Sequence, residues 1–441
     1  MTGMELYLFI VLLVGALVGL IIIIRAFHYY RRKRLINDLP TSKVKGVFIG
    51  LTELLGTAET DEPLTSYLAE KKCVYYSYTV DEYWHRTVTE TYTDSEGNSQ
   101  TRTRTESGWK TVAGGTNAPS FYLKDDTGSI RINPDGADVC GKEIFNKHCG
   151  RRDALYYEKG PKGAIADSAH RRRFIEMAIP LHTKLYVVGY ARERQDVVAA
   201  EIVKRKGIPL FLISTRSEDH HSRGYKNKSL MLIMFGFLVG IGTSLIVYNA
   251  SDGVFSYSPV AFVLPVIGLY LIFLLLGWLW TVYNSLIRLR QKVRQGWSQI
   301  EIELKRRYDL IPRIAEIVEA YRRYESGLQE SVALLRARAD VLDEDGACGI
   351  EGLLPVINAT VEKYPDLKGS TQFISLQKTL SETEQRLALS RDYYNQICTF
   401  YNTRLEVAPD KFLARITNFK PLKLLSSSGL ERANVEVEFV D

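Results

Sequence analysis

The sequence predicts a membrane protein of the α+β class, with three transmembrane helices, a β-rich cytoplasmic domain and an all-α bundle of long helices. Three observations predict this. Apolar runs at 6–24, 229–248 and 260–282 are each long enough to cross a bilayer. Residues 40–215 hold short segments of β-branched and aromatic residues separated by turn residues. From Tyr283 onward, with no linker after the third run, apolar residues recur every three or four positions.

The first run has no positive charge before it, and Arg25, Arg31, Arg32, Lys33 and Arg34 follow it. A cleaved signal peptide shows the opposite order. The run reads as a signal-anchor with its N-terminus outside and its basic flank in the cytoplasm. Arg216, Arg223, Lys226 and Lys228 precede the second run, and the connector 249–259 has no Lys or Arg. The third run ends in Trp278, Trp280 and Tyr283, an interfacial aromatic belt, and a second basic flank contains Arg288 and Arg290. All basic flanks therefore lie on one side, which places both large domains, 40–215 and 283–425, in the cytoplasm. The flanking cations Arg31, Arg32, Lys33, Arg34, Arg288 and Arg290 are candidates to meet lipid headgroups.

Within 40–215, residues 73–80, 121–128, 129–134 and 185–190 have strand composition. Between Trp84 and Trp109, threonines alternate at 87, 89, 91 and 93 and again at 101, 103 and 105. Ser95 to Asn98 supplies the turn, so this segment reads as a hairpin with a solvated Thr-rich face. Gly114-Gly115 reads as a turn between strands, and 196–204 as a short helix or a linking turn.

In the helical part, Leu286, Leu289, Val293, Trp297, Ile300, Leu304, Ile311, Ile314, Val318 and Tyr321 form one stripe. Pro312 cannot donate to the carbonyl four residues back, which predicts a kink or break near Ile311. The pattern predicts a break at 343–349, a shorter helix at 353–361 and a loop at 364–369. Phe373, Leu376, Leu380, Leu387, Tyr394, Cys398 and Tyr401 mark one face of a last long helix. A short appendage at 409–425 and a loose tail at 426–441 follow. Leu289, Val293, Trp297, Ile300, Leu304, Ile311, Tyr394 and Tyr401 are the candidate core of the bundle and of any oligomer.

The residues Tyr283-Asn284, Leu289-Arg290, Val293, Trp297-Ser298, Ile300, Leu304 to Arg307 and Asp309 to Pro312 closely resemble the LemA family signature. So do Tyr393-Tyr394-Asn395 and Phe400-Tyr401-Asn402. The resemblance covers roughly 260–425 and implies a bacterial membrane protein with a cytoplasmic bundle of long helices. Cys73 to Tyr76, Tyr122 to Ala137, Glu176 and Leu185 to Gly189 resemble the GIDE domain, the "beside a membrane" domain of a membrane-anchored RING ubiquitin ligase. That resemblance covers about 44–215.

The ligase chemistry of that relative needs two zinc ions held by about eight paired Cys/His ligands. The five cysteines here are Cys73, Cys140, Cys149, Cys348 and Cys398, with no CxxC pair, and they form no disulfide framework. Cys140, His148 and Cys149 come nearest to a ligand cluster, although two adjacent residues rarely ligate one ion together. His220-His221 reads as solvated linker. No nucleophile elbow, zinc-protease or phosphate-loop motif occurs. Arg171-Arg172-Arg173 fits an anion such as phosphate or a lipid headgroup, and also a plain solvated basic face. Asp343-Glu344-Asp345 fits a hard cation or an acidic connecting loop. A net charge of +6 over 441 residues gives no basic domain, so no nucleic-acid partner is implied. The sequence reads as a non-enzymatic inner-membrane scaffold without a cofactor, whose partners are the lipid bilayer and other copies of itself. A ligase-like accessory enzyme and a membrane-coupled sensor are the alternatives.

Overall fold

Hydrophobic on every face and free of proline, the first apolar run forms one unbroken helix, α1 (Gly3–Asn37). In the computed structural model, residues 3–93, 99–194, 199–208, 210–250, 259–322 and 371–425 are described. The chain forms two compact units: Thr41–His221, and Met1–Pro40 together with Ser222–Asp441. The β unit is thus an insertion within the helical one.

The β unit contains β1 (Thr41–Ser42), β2 (Gly50–Glu59), β3 (Leu64–Thr65), β4 (Lys72–Thr93), β5 (Ser99–Asn117), β6 (Phe121–Lys124) and β7 (Ser129–Ile132). It continues with β8 (Asp138–Cys140), β9 (Lys142–Gly150), α2 (Leu155–Glu158), β10 (Ser168–Pro180), β11 (Lys184–Glu193), β12 (Ala200–Val203) and β13 (Leu212–Ser214). One sheet runs β1-β2-β6-β7-β12-β11-β13-β8, and β2 also pairs with β11. That extra pairing closes β2, β6, β7, β12 and β11 into a ring, which leaves those strands no open edge. Leu54, Leu123, Ile130, Ile132, Val187, Ile202 and Ile213 fill its interior. The short helix or linking turn expected at 196–204 instead contains β12 over its described residues.

The second sheet runs β9-β10-β4 with β5 on the free side of β4. Gly114 and Gly115 lie within β5, where a turn was expected. Tyr78 stacks on Tyr67 at 4.4 Å. A Cβ on Gly115 would come 2.8 Å from the Tyr78 ring, so glycine leaves room for that ring. Beyond Trp84, where pairing with β10 ends, β4 and β5 continue as a two-stranded ribbon. Thr87 faces Thr105, Thr89 faces Thr103 and Thr91 faces Thr101, all exposed. The turn expected at 95–98 lies outside the described residues.

The buried face of this sheet holds a charge pair. The Arg172 and Glu82 side chains are both fully buried, 3.0 Å apart. Arg172 also donates to the carbonyls of Tyr156, Pro161 and Gly163, and its guanidinium sits 3.8 Å from the Tyr156 ring centre. Burial pushes the Glu82 carboxyl up. Hydrogen bonds from Ser168, Tyr156 and Arg172 outweigh burial and hold it below the usual range. Beside it, the Glu176 carboxylate accepts the backbone N–H groups of Tyr67, Leu68 and Ala69 at 2.7–3.1 Å.

In the helical unit, α3 (Glu218–Ala250) and α4 (Pro259–Arg322) carry the second and third apolar runs. Together with α1 they are, among the described residues, the three helices long and apolar enough to cross a membrane. The described residues of the unit also form α5 (Thr371–Glu406) and α6 (Asp410–Ile416). No break occurs at Pro312: α4 is one helix through it. The proline frees the carbonyl of Tyr308, an exposed residue, where water can satisfy it. The expected break, helix and loop between 343 and 369, and the tail 426–441, lie outside the described residues.

The seam between α4 and α5 follows alternating steps of three and four. On α4 the buried positions are Leu286, Leu289, Val293, Gly296, Ile300, Glu303, Arg307 and Leu310. On α5 they include Leu380, Thr383, Leu387, Ser390, Tyr394, Ile397 and Tyr401. Two inward positions are charged, and Arg307 pairs with Glu384 at 3.1 Å. Asn395 and Asn402 each exchange two hydrogen bonds with the returning backbone, at Leu425 and Leu422, and so lay residues 417–425 along α5.

Removing Arg172 while Glu82 stays buried should cost about 3–5 kcal/mol. We expect Arg172→Met to lower the thermal midpoint of the β unit at neutral pH, read by near-ultraviolet circular dichroism. Stability due to the depressed Glu82 carboxyl is present above its unfolded value, about 4.3, and is lost as pH falls through its lower folded value. The gap between wild type and variant should therefore narrow on acidification. A gap independent of pH would show that Glu82 does not contribute its charge.

Candidate functional site

A set of buried charges lies where α1 leaves its apolar run and meets α4, α5 and α6. Arg34 of α1 donates through both terminal nitrogens to the Asp410 carboxylate of α6, at 2.7 and 2.8 Å. Both side chains are about 95% buried. Arg34 also donates to the Tyr30 hydroxyl at 2.9 Å, and its guanidinium lies 5.0 Å from that ring. Arg404 of α5 donates to Asp38 at 2.8 Å and to Asp410 at 3.4 Å. The Ser285 hydroxyl of α4 donates to the other Asp38 oxygen at 2.6 Å. Two carboxylates and two guanidiniums thus alternate, and four helices each contribute a member. One turn from Ser285, Arg288 lies near Arg31, Arg34 and Asp38.

Sequence reasoning put Arg34 at a lipid headgroup. The structure spends it in this clamp instead, because its helical phase turns it inward toward Asp410. Arg31 is exposed, and Arg32, Lys33, Arg288 and Arg290 are half-buried. Arg32 lies 6.0 Å from the Tyr225 ring centre. Among the candidate core residues, Leu289, Val293, Ile300, Tyr394 and Tyr401 are buried. Trp297 and Leu304 are only half-buried, one step off the seam, where Gly296 and Glu303 point inward. Trp297 packs against Tyr394 at 5.7 Å and donates its indole N–H to Glu301. The Ile311 side chain lies outside the described residues. Asp38, Ser285, Arg404 and Asp410 went unread, because a lone acid or serine gives no periodic signal.

The remaining candidates for chemistry are separated. His148 and Cys149 are consecutive on β9 and so point to opposite faces. His148 stacks on Trp109 at 5.7 Å, Cys149 is buried, and Cys140 belongs to the other sheet. Among the described residues no group of three or more His, Cys, Asp or Glu could hold a metal ion. His221, expected as solvated linker, is half-buried, lies 2.7 Å from the Ser214 hydroxyl and stacks on Tyr186. In the triplet 171–173, Arg172 is buried with Glu82, while Arg171 and Arg173 lie over Tyr83 and Trp109. Burial pushes the thiols of Cys73 and Cys398 up to about 11, so both remain protonated at neutral pH. A cavity of about 410 Å³ among α1, α3 and α4 is lined by apolar side chains, Tyr270, Thr243 and Ser244. All three hydroxyls are satisfied by helix carbonyls, those of Ile233, Val239 and Gly240.

Breaking the clamp at one member leaves a buried charge without its partner, at a cost of about 3–5 kcal/mol. Asp410→Ala and Arg34→Met should each lower the unfolding midpoint of the helical unit. The double variant should recover part of the loss, and a double-mutant cycle in one detergent measures that coupling. Strictly additive losses would mean that the two groups do not act as a pair.

Compared with known proteins, residues 296–439 match the LemA family and residues 89–247 match the GIDE family, described as E3 ubiquitin ligase. Protein LemA of Metamycoplasma hominis is 22% identical over 159 residues, which is 35% of this chain and 73% of that protein. Magnetosome proteins MamQ 1 and MamQ 2 of Paramagnetospirillum magneticum are each 34% identical over 80 residues, 18% of this chain. The chain spans only 29% of the length of those two relatives. The GIDE match begins inside the long hairpin and runs on through most of α3. The chain therefore joins a segment similar to the GIDE family to a segment similar to the LemA family, and three of its described helices are long and apolar enough to cross a membrane.

Proposed function

We propose that the protein is a non-enzymatic scaffold of a bacterial inner membrane that self-assembles and shapes membrane or organises partners. The observation that carries this reading is α4. It is one 64-residue helix that holds the third apolar run and then pairs with α5. At 1.5 Å per residue it extends about 95 Å. Ser285 of α4 hydrogen-bonds into the buried ion-pair network of Arg34, Asp38, Arg404 and Asp410, which suits a rod that must hold its angle to the membrane. The seam spacing of three and four on both helices is that of an antiparallel coiled coil. Because α5 covers the seam itself, self-assembly falls to other apolar residues, of which Ile302 and Ile374 are 45% and 48% exposed. A membrane-coupled sensor would use the same rod. Ligase chemistry is left out of this reading, because the sequence has no paired zinc ligands.

In this reading both large units are cytoplasmic and the N-terminus lies outside. With native cysteines replaced, single cysteines in Ser99→Cys and Lys420→Cys should resist an impermeant maleimide until cells are lysed. Labelling of either in intact cells would reverse the topology. Light scattering in mild detergent should give a multiple of the 50.1 kDa chain mass. Ile302→Glu combined with Ile374→Glu should lower that mass while helicity is kept. A monodisperse wild-type monomer would sink self-assembly.

A further inference from the structure

Helix α6 has two apolar sides. Its inner side, Leu413 and Ala414, packs on Val282 and Leu286 of α4, with Trp278 and Leu279 against the same cluster. Those α4 residues stand at the end of the third apolar run. Asp410, at the start of α6, is held by Arg34, so the helix cannot swing freely about its seat. On its outer side, one turn apart, Phe412 is 64% exposed and Ile416 is 81% exposed. Val407, just before the helix, is 53% exposed. Trp280, two residues before Val282, is 74% exposed. Lys411 and Arg415, also one turn apart, are exposed beside the apolar pair.

We infer that α6 lies in the boundary between headgroups and acyl chains, with Phe412 and Ile416 among the chains and Lys411 and Arg415 against anionic headgroups. Three observations select the bilayer as the occupant. The helix is seated where an apolar run ends, so the chain places it at the height of an interface. At the same level of α4, two residues before Val282, stands the exposed Trp280, a residue type that favours that interface. The neighbouring cations complement an anionic lipid surface. The inference rests on the chain being inserted in a membrane and is independent of self-assembly. It makes the C-terminal end of the helical unit a second anchor, coupled to the first span through Arg34 and Asp410.

The test uses the full chain in vesicles of phosphatidylcholine with phosphatidylglycerol. The photoreactive residue benzoylphenylalanine is placed at position 412, at 416 or, as a control, at 271, where Leu271 is 55% exposed on the third apolar run. After irradiation, mass spectrometry identifies the adducts. We expect phospholipid adducts at 412 and 416 comparable to those at 271. Cross-links from 412 to a second copy or to residues 426–441, or no adduct there while 271 reacts with lipid, would overturn the inference. Loss of the lipid adduct at 271 as well would remove membrane insertion itself, and the inference with it. Raising the phosphatidylglycerol fraction should increase the yield at 412, and Lys411→Glu with Arg415→Glu should abolish that increase. A yield indifferent to phosphatidylglycerol would overturn the headgroup contact.

Discussion

A buried charge must meet its counter-charge, and the helical unit is built around that constraint at Arg34. The chain leaves its first apolar run with five cations in ten residues, from Arg25 to Arg34. Helical phase turns the last of them inward. The carboxylate that meets it belongs to Asp410, 376 residues later. The last helices must therefore fold back onto the base of the first. The β unit is inserted between these partners, and its entry and exit are kept close: the Ser222 hydroxyl donates to Asn37 at 2.7 Å. Adjacent ends let a domain be inserted with little disturbance to its host.

The same constraint explains what could be read from the sequence. The apolar runs, the long hairpin and the long helices were legible, since each repeats one pattern over many residues. Strands β9 and β10 were not. The inward positions of β10 include Arg172 and Glu176, so alternation of apolar and polar residues is inverted where the strand is most buried. Only the partners, Glu82 for one and three backbone amides for the other, make those positions internal. Gly114 and Gly115 were misread for a related reason. Glycine usually marks a turn, but here it makes room for an aromatic ring on the neighbouring strand. The clamp was illegible in principle, because its members are scattered over four helices.

The α4 seam was legible at Leu286, Leu289, Val293 and Ile300 and one residue off at Trp297 and Leu304. A stripe through Trp297 and Leu304 follows the more hydrophobic residues. The helix instead faces its partner along strict steps of three and four, with Gly296, Glu303 and Arg307 inward. Gly296 faces Tyr393 and Tyr394, where an added Cβ would come 3.5 Å from the Tyr393 ring and 3.7 Å from the Tyr394 Cα. Arg307 is tolerable inside because Glu384 reaches it from α5. Partner geometry thus overrode side-chain hydrophobicity by one residue, leaving the larger apolar groups to flank the seam. Asn395 and Asn402 show the same logic on α5. Spaced by seven residues, their amides act as substitute peptide groups for an extended segment, a role their composition does not announce.

Catalysis by proton transfer or nucleophilic attack needs groups poised near neutral pH. The buried groups described above are driven away from it. The Glu82 carboxyl is held low by its donors, so at neutral pH it is a charged hydrogen-bond acceptor and a poor base. The Cys73 and Cys398 thiols are held high by burial, so neither supplies a thiolate. Arg172 and Arg34 are each locked by several hydrogen bonds and have little freedom left to follow a reacting group. Charge inside this protein is used to fix the positions of strands and helices relative to their immediate neighbours. That use supports the proposed scaffold, a reading in which the outer faces of the long helices and of α6 are the surfaces that meet partners.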